Sequence, residues 1–538
     1  MALSGPVGAG KTTLAENLAA EYGATHVRTR DLMAQRGQRT GVAPPIDRAG
    51  LQAHGDQLDA ETTGAWVAEE LAELVEEGVD GFYIVDGVRI ADQVEGLRRA
   101  FGRDVIHLHL DAPRNELAAR YERRRDEGSQ IEELDSYDQV LLNATEANTS
   151  ALAADADVAI NSKRCSAPDV LVRAAAALGL LGPNYARLVD VLIGGEYGSE
   201  GKGNLAFYLA REYDLLIRVG GPNAGHTVPL APPFTHRSLP SGTMANEEAK
   251  LLIGPGAVLD LDVLLKEIAE CQVEADRLWI DPQAMIIEQT DLEVERALKD
   301  DIGSTGRGGG AAAARRIMGR SEKLVDTPVR LAGQVRELTP YIRAASEVLT
   351  EAYSKGARIL LEGTQGTALS LFHGSYPHVT SRDTTVSGCL AEAGIPPARV
   401  NRVIMVCRTY PIRVGDGTGG TSGPMSQEVS WEELAERSRI PLDDLLAAEK
   451  GSVSGKQRRV AEFDWTLLRS AVQLNGPTDI ALTFADYIDV ANQNARRFDQ
   501  LTEDTLRFIE EVENVAGVPV SLIVTRFAVR SVIDRRRW

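Results

Sequence analysis

Two stretches of this chain end a glycine-rich loop in lysine, and both call for phosphate chemistry. The first, Gly5-Pro6-Val7-Gly8-Ala9-Gly10-Lys11-Thr12-Thr13, fits G-x-x-x-x-G-K-[ST]. Glycines such as Gly8 and Gly10 let backbone N–H groups curl around phosphate at a helix N-terminus. Lys11 would then reach the β/γ-phosphates and Thr12 would ligate Mg²⁺, with Thr13 beside it in the nucleotide site. The second stretch is Gly194-Gly195-Glu196-Tyr197-Gly198-Ser199-Glu200-Gly201-Lys202-Gly203-Asn204. Its glycines are spaced differently, so it is a phosphate loop of another kind. Shortly after it, Gly220-Gly221-Pro222-Asn223-Ala224-Gly225-His226-Thr227 places a histidine in a Gly/Asn-rich loop. An imidazole there suits acid–base work better than one in a core.

These loops need strands and helices to aim them. Met1–Ser4 reads as a short strand, followed by an amphipathic helix through Leu14, Leu18 and Tyr22. Phe82–Asp86 and Val105–Asp111 read as buried strands, the first followed by Gly87-Val88-Arg89. This region resembles a P-loop nucleoside monophosphate kinase, whose Asp-Gly-x-Arg turn lies near the acceptor. Asp86 would assist Mg²⁺ or orient an acceptor hydroxyl, or simply form a turn. Asp31, after Arg28 and Arg30, is a candidate acceptor contact. Arg120, Arg123, Arg124 and Arg125 form either a phosphate-contacting lid or a solvated helix face. The run Ala174–Ala186 ends a helix at Gly179 or Gly182 and turns at Gly182-Pro183-Asn184. That divides the chain into a kinase-like domain, 1–182, and a second domain, 186–538, opened by the strand Leu188–Ile193. The expected class is α/β throughout.

Composition narrows the partners. The 538 residues allow two to four domains at roughly 100–200 each, and 43% hydrophobic with 25% charged residues is ordinary for a globular chain. Acidic residues outnumber basic ones by 78 to 58, a net charge of -20, which argues against wrapping nucleic acid or an anionic membrane. Cys165, Cys271, Cys389 and Cys407 are widely spaced with no C-x-x-C pair, against a disulfide scaffold or zinc site. With no apolar run near the ~20 residues of a membrane span, and no signal-peptide pattern, the expected location is cytoplasmic.

From residue 186 onward the chain resembles the adenylosuccinate synthetase family, whose signatures are Q-W-G-D-E-G-K-G-K and G-G-x-N-A-G-H-T. The likeness continues in order through Leu239–Gly242, Gly303–Gly308, Glu362–Gly366, Tyr376–Thr380, Arg413–Gly415 and Ala471–Asn475. It implies that a triphosphate phosphorylates the 6-oxo group of a purine mononucleotide and that L-aspartate then displaces phosphate. By that resemblance Lys202 holds the transferring phosphate in a loop with Gly198, Gly201 and Gly203. The Gly225 carbonyl helps bind Mg²⁺, His226 is a general acid, and Gln365 bonds the 6-substituent. Asn223, Thr305 and Thr380 cradle the 5′-phosphate, while Arg413 and Arg458 bind the aspartate carboxylates, a task suited to guanidinium. The resemblance also implies a homodimer in which one of Arg315, Arg316 or Arg320 crosses to the other subunit.

Three departures bear on the substrate. Ser199 stands where the family has its catalytic aspartate, and serine is no effective base near neutral pH. The guanine-reading T-K-L-D is here Thr483-Phe484-Ala485-Asp486, leaving Asp486 to bind the donor base without its lysine. Ser521–Phe527 lacks the expected Gly-Pro turn, and Lys456 and Gln457 replace arginines in the loop Gly451–Arg459. Together these resemble the phage-type 2-aminoadenylosuccinate synthetase branch, which takes (d)GMP with an adenine nucleotide as donor. The resemblance implies ATP rather than GTP beside Mg²⁺. An ordinary GTP-dependent enzyme acting on IMP, a decayed paralogue, and a nucleotide-sensing regulator are the alternatives.

Overall fold

The structure is a computed structural model and describes residues 1–75, 81–127, 133–181, 186–417, 419–451 and 455–536. The chain divides into two compact units, Met1–Asn184 and Tyr185–Trp538. The Gly182-Pro183-Asn184 turn lies outside the described residues, as do residues 452–454 of the Gly451–Arg459 loop. The helix before that turn is Ala167–Ala177, and Gly179 follows with φ 72, a left-handed conformation that glycine adopts without a Cβ clash.

The first unit is a five-stranded parallel sheet ordered Thr25–Arg28, Tyr83–Val88, Ala2–Ser4, His107–Asp111, Val158–Asn161. Leu3, Ile84, Leu108 and Leu110 are completely buried, because parallel strands are covered on both faces. Each such side chain contributes about 1.5–3 kcal/mol of burial. The central strand, Ala2–Ser4, runs straight into the first glycine loop. Its placement between two strands that follow much later puts that loop at the switch point where open α/β sheets bind ligands.

The second unit holds a nine-stranded sheet. Its order is Leu278–Ile280, Lys250–Ile253, Leu215–Arg218, Ile359–Glu362, Val189–Gly194, Val400–Arg408, Asp479–Thr483, Val520–Val524, Val532–Asp534. All pairs are parallel except the last. The strand Val189–Gly194 is buried at every position, as its unbroken apolar run requires. Ile359–Glu362 inserts between the first two strands of the unit, so Glu362 pairs in register with both Arg218 and Leu192. That insertion gathers at one sheet edge the loops after Gly194, Arg218 and Glu362.

Candidate active sites

Both lysine-bearing loops are built the same way. Each ends in a left-handed glycine that caps a helix whose first residue is the lysine: Gly10 (φ 98) before Lys11–Tyr22, and Gly201 (φ 88) before Lys202–Leu209. In each, the ammonium folds back onto its own loop. Lys11 donates to the carbonyls of Gly5 at 2.6 Å and Pro6 at 3.0 Å. Lys202 donates to Gly198 O at 3.2 Å and to Glu200 Oε2 at 2.6 Å.

In the first unit the loop borders a cavity of about 670 Å³, within the usual range for a small-molecule site. Thr12 Oγ1 donates to Asp86 Oδ2 at 2.9 Å, and His26 Nε2 lies 3.2 Å from the same oxygen. Burial pushes the Asp86 carboxyl up, but His26, Lys11 and Thr12 outweigh it and hold the group below its ordinary value. A hydroxyl beside an ionised carboxylate is a hard-oxygen pair that fits Mg²⁺, which takes one or two protein oxygens and the rest from phosphate and water. Burial lowers Lys11 to about 8, against the pull of Asp86 and Glu146. A bound polyphosphate raises that value again, so binding takes up a proton above pH 8. ATP affinity at this site should therefore fall as pH rises through about 8. Lys11→Met should weaken nucleoside triphosphate binding at this loop in an equilibrium titration of the full chain.

The arginine cluster divides in two. Arg120 lines the cavity, bonding Ser162 Oγ at 2.9 Å, and Arg124 lines it while paired to Glu133 at 3.0 Å. Arg123 and Arg125 do not line it. Asp31 is exposed, and it accepts from Arg28 N at 3.3 Å as the reciprocal partner of a helix N-terminus. Its role there is capping, and Arg28 and Arg30 line the cavity instead.

The second unit brings Ser199, Asn223, Gly225, His226, Thr305, Gln365, Thr380, Arg413 and Arg458 around one cleft. Glycine makes the convergence possible. A Cβ on Gly198 would sit 2.9 Å from Gln365 Cα, and one on Gly203 would sit 2.9 Å from His226 Cβ. Lys202 and Asp486 are not among the cleft's lining residues.

His226 is the best-oriented group. Its Nδ1 bonds Glu362 Oε1, and Glu362 also accepts from Ser241 N at 2.8 Å. Burial raises the Glu362 carboxyl, but His226, Arg218 and Ser241 overcome it and bring the group down to about 2. Burial, helped by Arg218, lowers His226 to about 4 against the pull of Glu362. At neutral pH the imidazole is thus uncharged, with its proton on Nδ1 facing the carboxylate. Nε2 becomes a proton donor only when an anion beside it stabilises the imidazolium, as a phosphoryl oxygen would.

Five buried polar atoms on residues lining this cleft have no hydrogen-bond partner among the described residues: Asn223 Oδ1, His226 Nε2, Thr305 Oγ1, His378 Nδ1 and Arg458 Nε. Each such atom costs about 1–3 kcal/mol unless a ligand group completes it. Ser199 lines the same cleft, and among the described residues no lining residue is Asp or Glu.

The two arginines differ. Arg458 bonds Glu449 at 3.0 Å through Nη1. Arg413 donates to Ser422 O at 2.6 Å, Pro424 O at 3.1 Å and His378 O at 2.7 Å, which uses three of its five N–H groups. Asp486 is buried, with Oδ2 accepting from Gln493 Nε2 at 3.1 Å and Oδ1 unpartnered; burial pushes it up to about 6. Phe484, in the missing lysine's place, lies under the Arg408 guanidinium at 3.7 Å. Arg315 cannot reach a second subunit: its guanidinium is buried on Asp291 at 2.6 Å and on the carbonyls of Ile286 and Pro328. Arg316 bonds Pro255 O at 3.0 Å, and Arg320 is exposed.

Several supporting residues escaped the sequence reading. Glu362 stood inside a quoted motif, yet nothing local ties it to His226, 136 positions away. Glu295 holds the Gly303–Gly310 loop by accepting from Gly308 N at 2.6 Å and Ala311 N at 3.1 Å. Glu449 joins Arg408, Arg458 and Tyr487. Arg382 bonds Thr364 Oγ1 at 3.0 Å and reaches Gln365 Oε1 at 3.4 Å, steadying Gln365.

Comparison with known proteins agrees with this geometry. Residues 191–328 and 325–493 match the family model described as adenylosuccinate synthetase, and residues 4–138 match one described as an AAA domain. The chain is 38% identical over 356 residues to an adenylosuccinate synthetase of Methanococcus aeolicus, covering 64% of this chain and 99% of that protein. A Thermococcus onnurineus adenylosuccinate synthetase is 39% identical over 355 residues, covering 64% and 98%. Among solved structures, the cyanophage S-2L succinoaminodeoxyadenylate synthetase, bound to dGMP and to dATP as energy donor, matches with TM-score 0.54 and 28% identity. It covers 65% of this chain and 96% of that one. The fully ligated Plasmodium falciparum adenylosuccinate synthetase shares the fold, at TM-score 0.56 and 20% identity over 65% of this chain and 100% of that one.

Proposed function

This chain belongs to the adenylosuccinate synthetase family, ligases that join aspartate to a purine nucleotide, and from that premise we propose that it joins L-aspartate to C6 of (d)GMP with ATP as donor. The observation that carries this reading is Ser199 in a cleft with no lining carboxylate. Hypoxanthine and guanine share the N1–H that a carboxylate there would meet, so what separates them is the space beside C2. Serine is smaller and uncharged, leaving room and a hydroxyl for a 2-amino group on the purine edge. The neighbour solved with dGMP and dATP supports the same choice.

Chemically, an amine cannot expel an oxo group, whereas phosphate leaves readily. Lys202, released from Glu200, neutralises the transferring phosphoryl group, and His226 gives a proton from Nε2 as charge builds there. Gln365 holds the 6-substituent, and Asn223, Thr305 and Thr380 hold the 5′-phosphate. Arg458, and the two unspent N–H groups of Arg413, face the aspartate carboxylates. Bound Mg²⁺ would neutralise phosphate charge; the Gly225 carbonyl would supply one hard oxygen, and the phosphates would supply further oxygens and the negative charge. The choice of ATP rests on Phe484, which stands where the family's guanine-reading lysine would be and lies under the Arg408 guanidinium.

The N-terminal unit, in this reading, transfers phosphate from ATP to a nucleoside monophosphate, the fusion serving one purine nucleotide route. A homodimer is part of the same proposal, with Arg316 or Arg320 as the crossing arginine.

The test is phosphate release from ATP with dGMP, Mg²⁺ and protein, with and without L-aspartate. A ligase releases phosphate and forms 2-amino-deoxyadenylosuccinate only when aspartate is present. A nucleotide sensor binds without release. Ser199→Asp should abolish or fail to improve activity on the 2-amino purine; a rise in kcat/KM with dGMP would reverse the role given to Ser199.

A further inference from the structure

Four of the five unpartnered atoms in the second cleft belong to residues the family motifs already assign to substrate. The fifth belongs to His378, which the motifs leave without a role. Its position is tightly set. The His378 carbonyl accepts from Arg413 Nη2 at 2.7 Å, and a Cβ on Gly423 would fall 2.6 Å from His378 Cβ. Two residues on, Thr380 lines the same cleft, its own N–H tied to Leu369 O at 2.8 Å. The segment is therefore clamped on both sides of the imidazole, while one ring nitrogen is left to a partner the chain does not provide.

We infer that His378 is a substrate-contacting residue that donates a hydrogen bond from Nδ1 to the 5′-phosphate of the mononucleotide. The inference rests on the reading above, in which Asn223, Thr305 and Thr380 cradle that phosphate. Those three offer neutral groups, and an imidazole adds an N–H that strengthens against an anion. The aspartate carboxylates have guanidinium donors of their own in Arg413 and Arg458, whereas His378 shares its cleft and its short segment with Thr380, one of the groups assigned to the phosphate.

The experiment measures equilibrium binding of dGMP, IMP and deoxyguanosine to the full chain, without aspartate or ATP, for wild type, His378→Ala and His378→Asn. His378→Ala should weaken mononucleotide binding about 10-fold and change deoxyguanosine binding less than about 2-fold. His378→Asn keeps a donor near the Nδ1 position and should recover part of the loss. KM for aspartate should stay unchanged in both variants. Unchanged mononucleotide binding in His378→Ala overturns the inference. So does equal weakening toward nucleotide and nucleoside, which marks a structural role, or a shift in aspartate KM alone. Because no turnover is needed, wild-type protein that binds a mononucleotide but never ligates it sinks the ligase reading and still tests His378. Wild-type protein that binds neither mononucleotide overturns both.

Discussion

Lys202→Met should lower aspartate-dependent phosphate release about 10³-fold, with mononucleotide binding largely retained. The ammonium is completely buried and sits 2.6 Å from Glu200 Oε2, inside the loop that would wrap the transferring phosphate. Removing one preorganised donor to developing charge costs about 10²–10³-fold in rate, and a full positive charge belongs at the upper end. The loop should survive the change. Glu196 N at 3.0 Å and Gly198 N at 2.8 Å still donate to Glu200 Oε1 and hold the backbone turn, while Oε2 loses its lysine and carries a stability cost. Steady-state phosphate release, with circular dichroism as the folding check, reads the result. A loss below 10-fold would remove Lys202 from the phosphoryl transfer.

Glu362→Gln should cost about 10²-fold in kcat and move the alkaline limb of the pH profile to lower pH. The carboxylate raises the His226 pKa, opposing burial and Arg218. With a neutral amide in its place the imidazolium is less stable, so less of the general acid is charged at any pH. The sign follows. Activity that needs His226 protonated beside phosphate should decline at lower pH in the variant than in wild type as pH is raised. A second effect accompanies it, because Arg218 lies 3.9 Å from Glu362 and would lose its buried counter-charge. Full kcat–pH curves separate the two: lost folding scales the whole curve, whereas lost proton supply moves its descending limb.

How far the sequence led depends on whether the signal was local. The phosphate loops were legible because their glycines occupy left-handed positions, Gly8 and Gly10 in one and Gly198 and Gly201 in the other, directly before a helix beginning with lysine. Buried parallel strands were legible as apolar runs. Expected Leu188–Ile193 is observed as Val189–Gly194, and Phe82–Asp86 as Tyr83–Val88. The ends shift by a residue or two because the ladder, not hydropathy, decides where pairing stops. Asp31 went astray because an acidic residue three positions into a helix looks like a ligand contact until its bond to Arg28 N is seen. The arginine run divided by what it lines: Arg120 and Arg124, four apart on the helix, border the cavity, and Arg123 and Arg125 do not.

What stayed hidden was long-range pairing. The His226–Glu362 pair exists because Ile359–Glu362 inserts between strands that precede it in the chain. Glu449 meets Arg408 and Tyr487 through the same kind of distant return. Motif order pointed to which residues belong to a site, but strand order determines which carboxylate orients which base. Arg315 shows the converse: offered by the resemblance as a candidate to cross to another subunit, it has its guanidinium packed onto Asp291.

Purine and donor choice are read together in one product analysis. The full chain is incubated with Mg²⁺ and L-aspartate and either dGMP or IMP, each with ATP or GTP, and products are identified by mass. The account predicts aspartate-dependent product from dGMP with ATP, and little or none from IMP with GTP. Product from IMP with GTP, and none from dGMP with ATP, would contradict it and make this chain an ordinary adenylosuccinate synthetase.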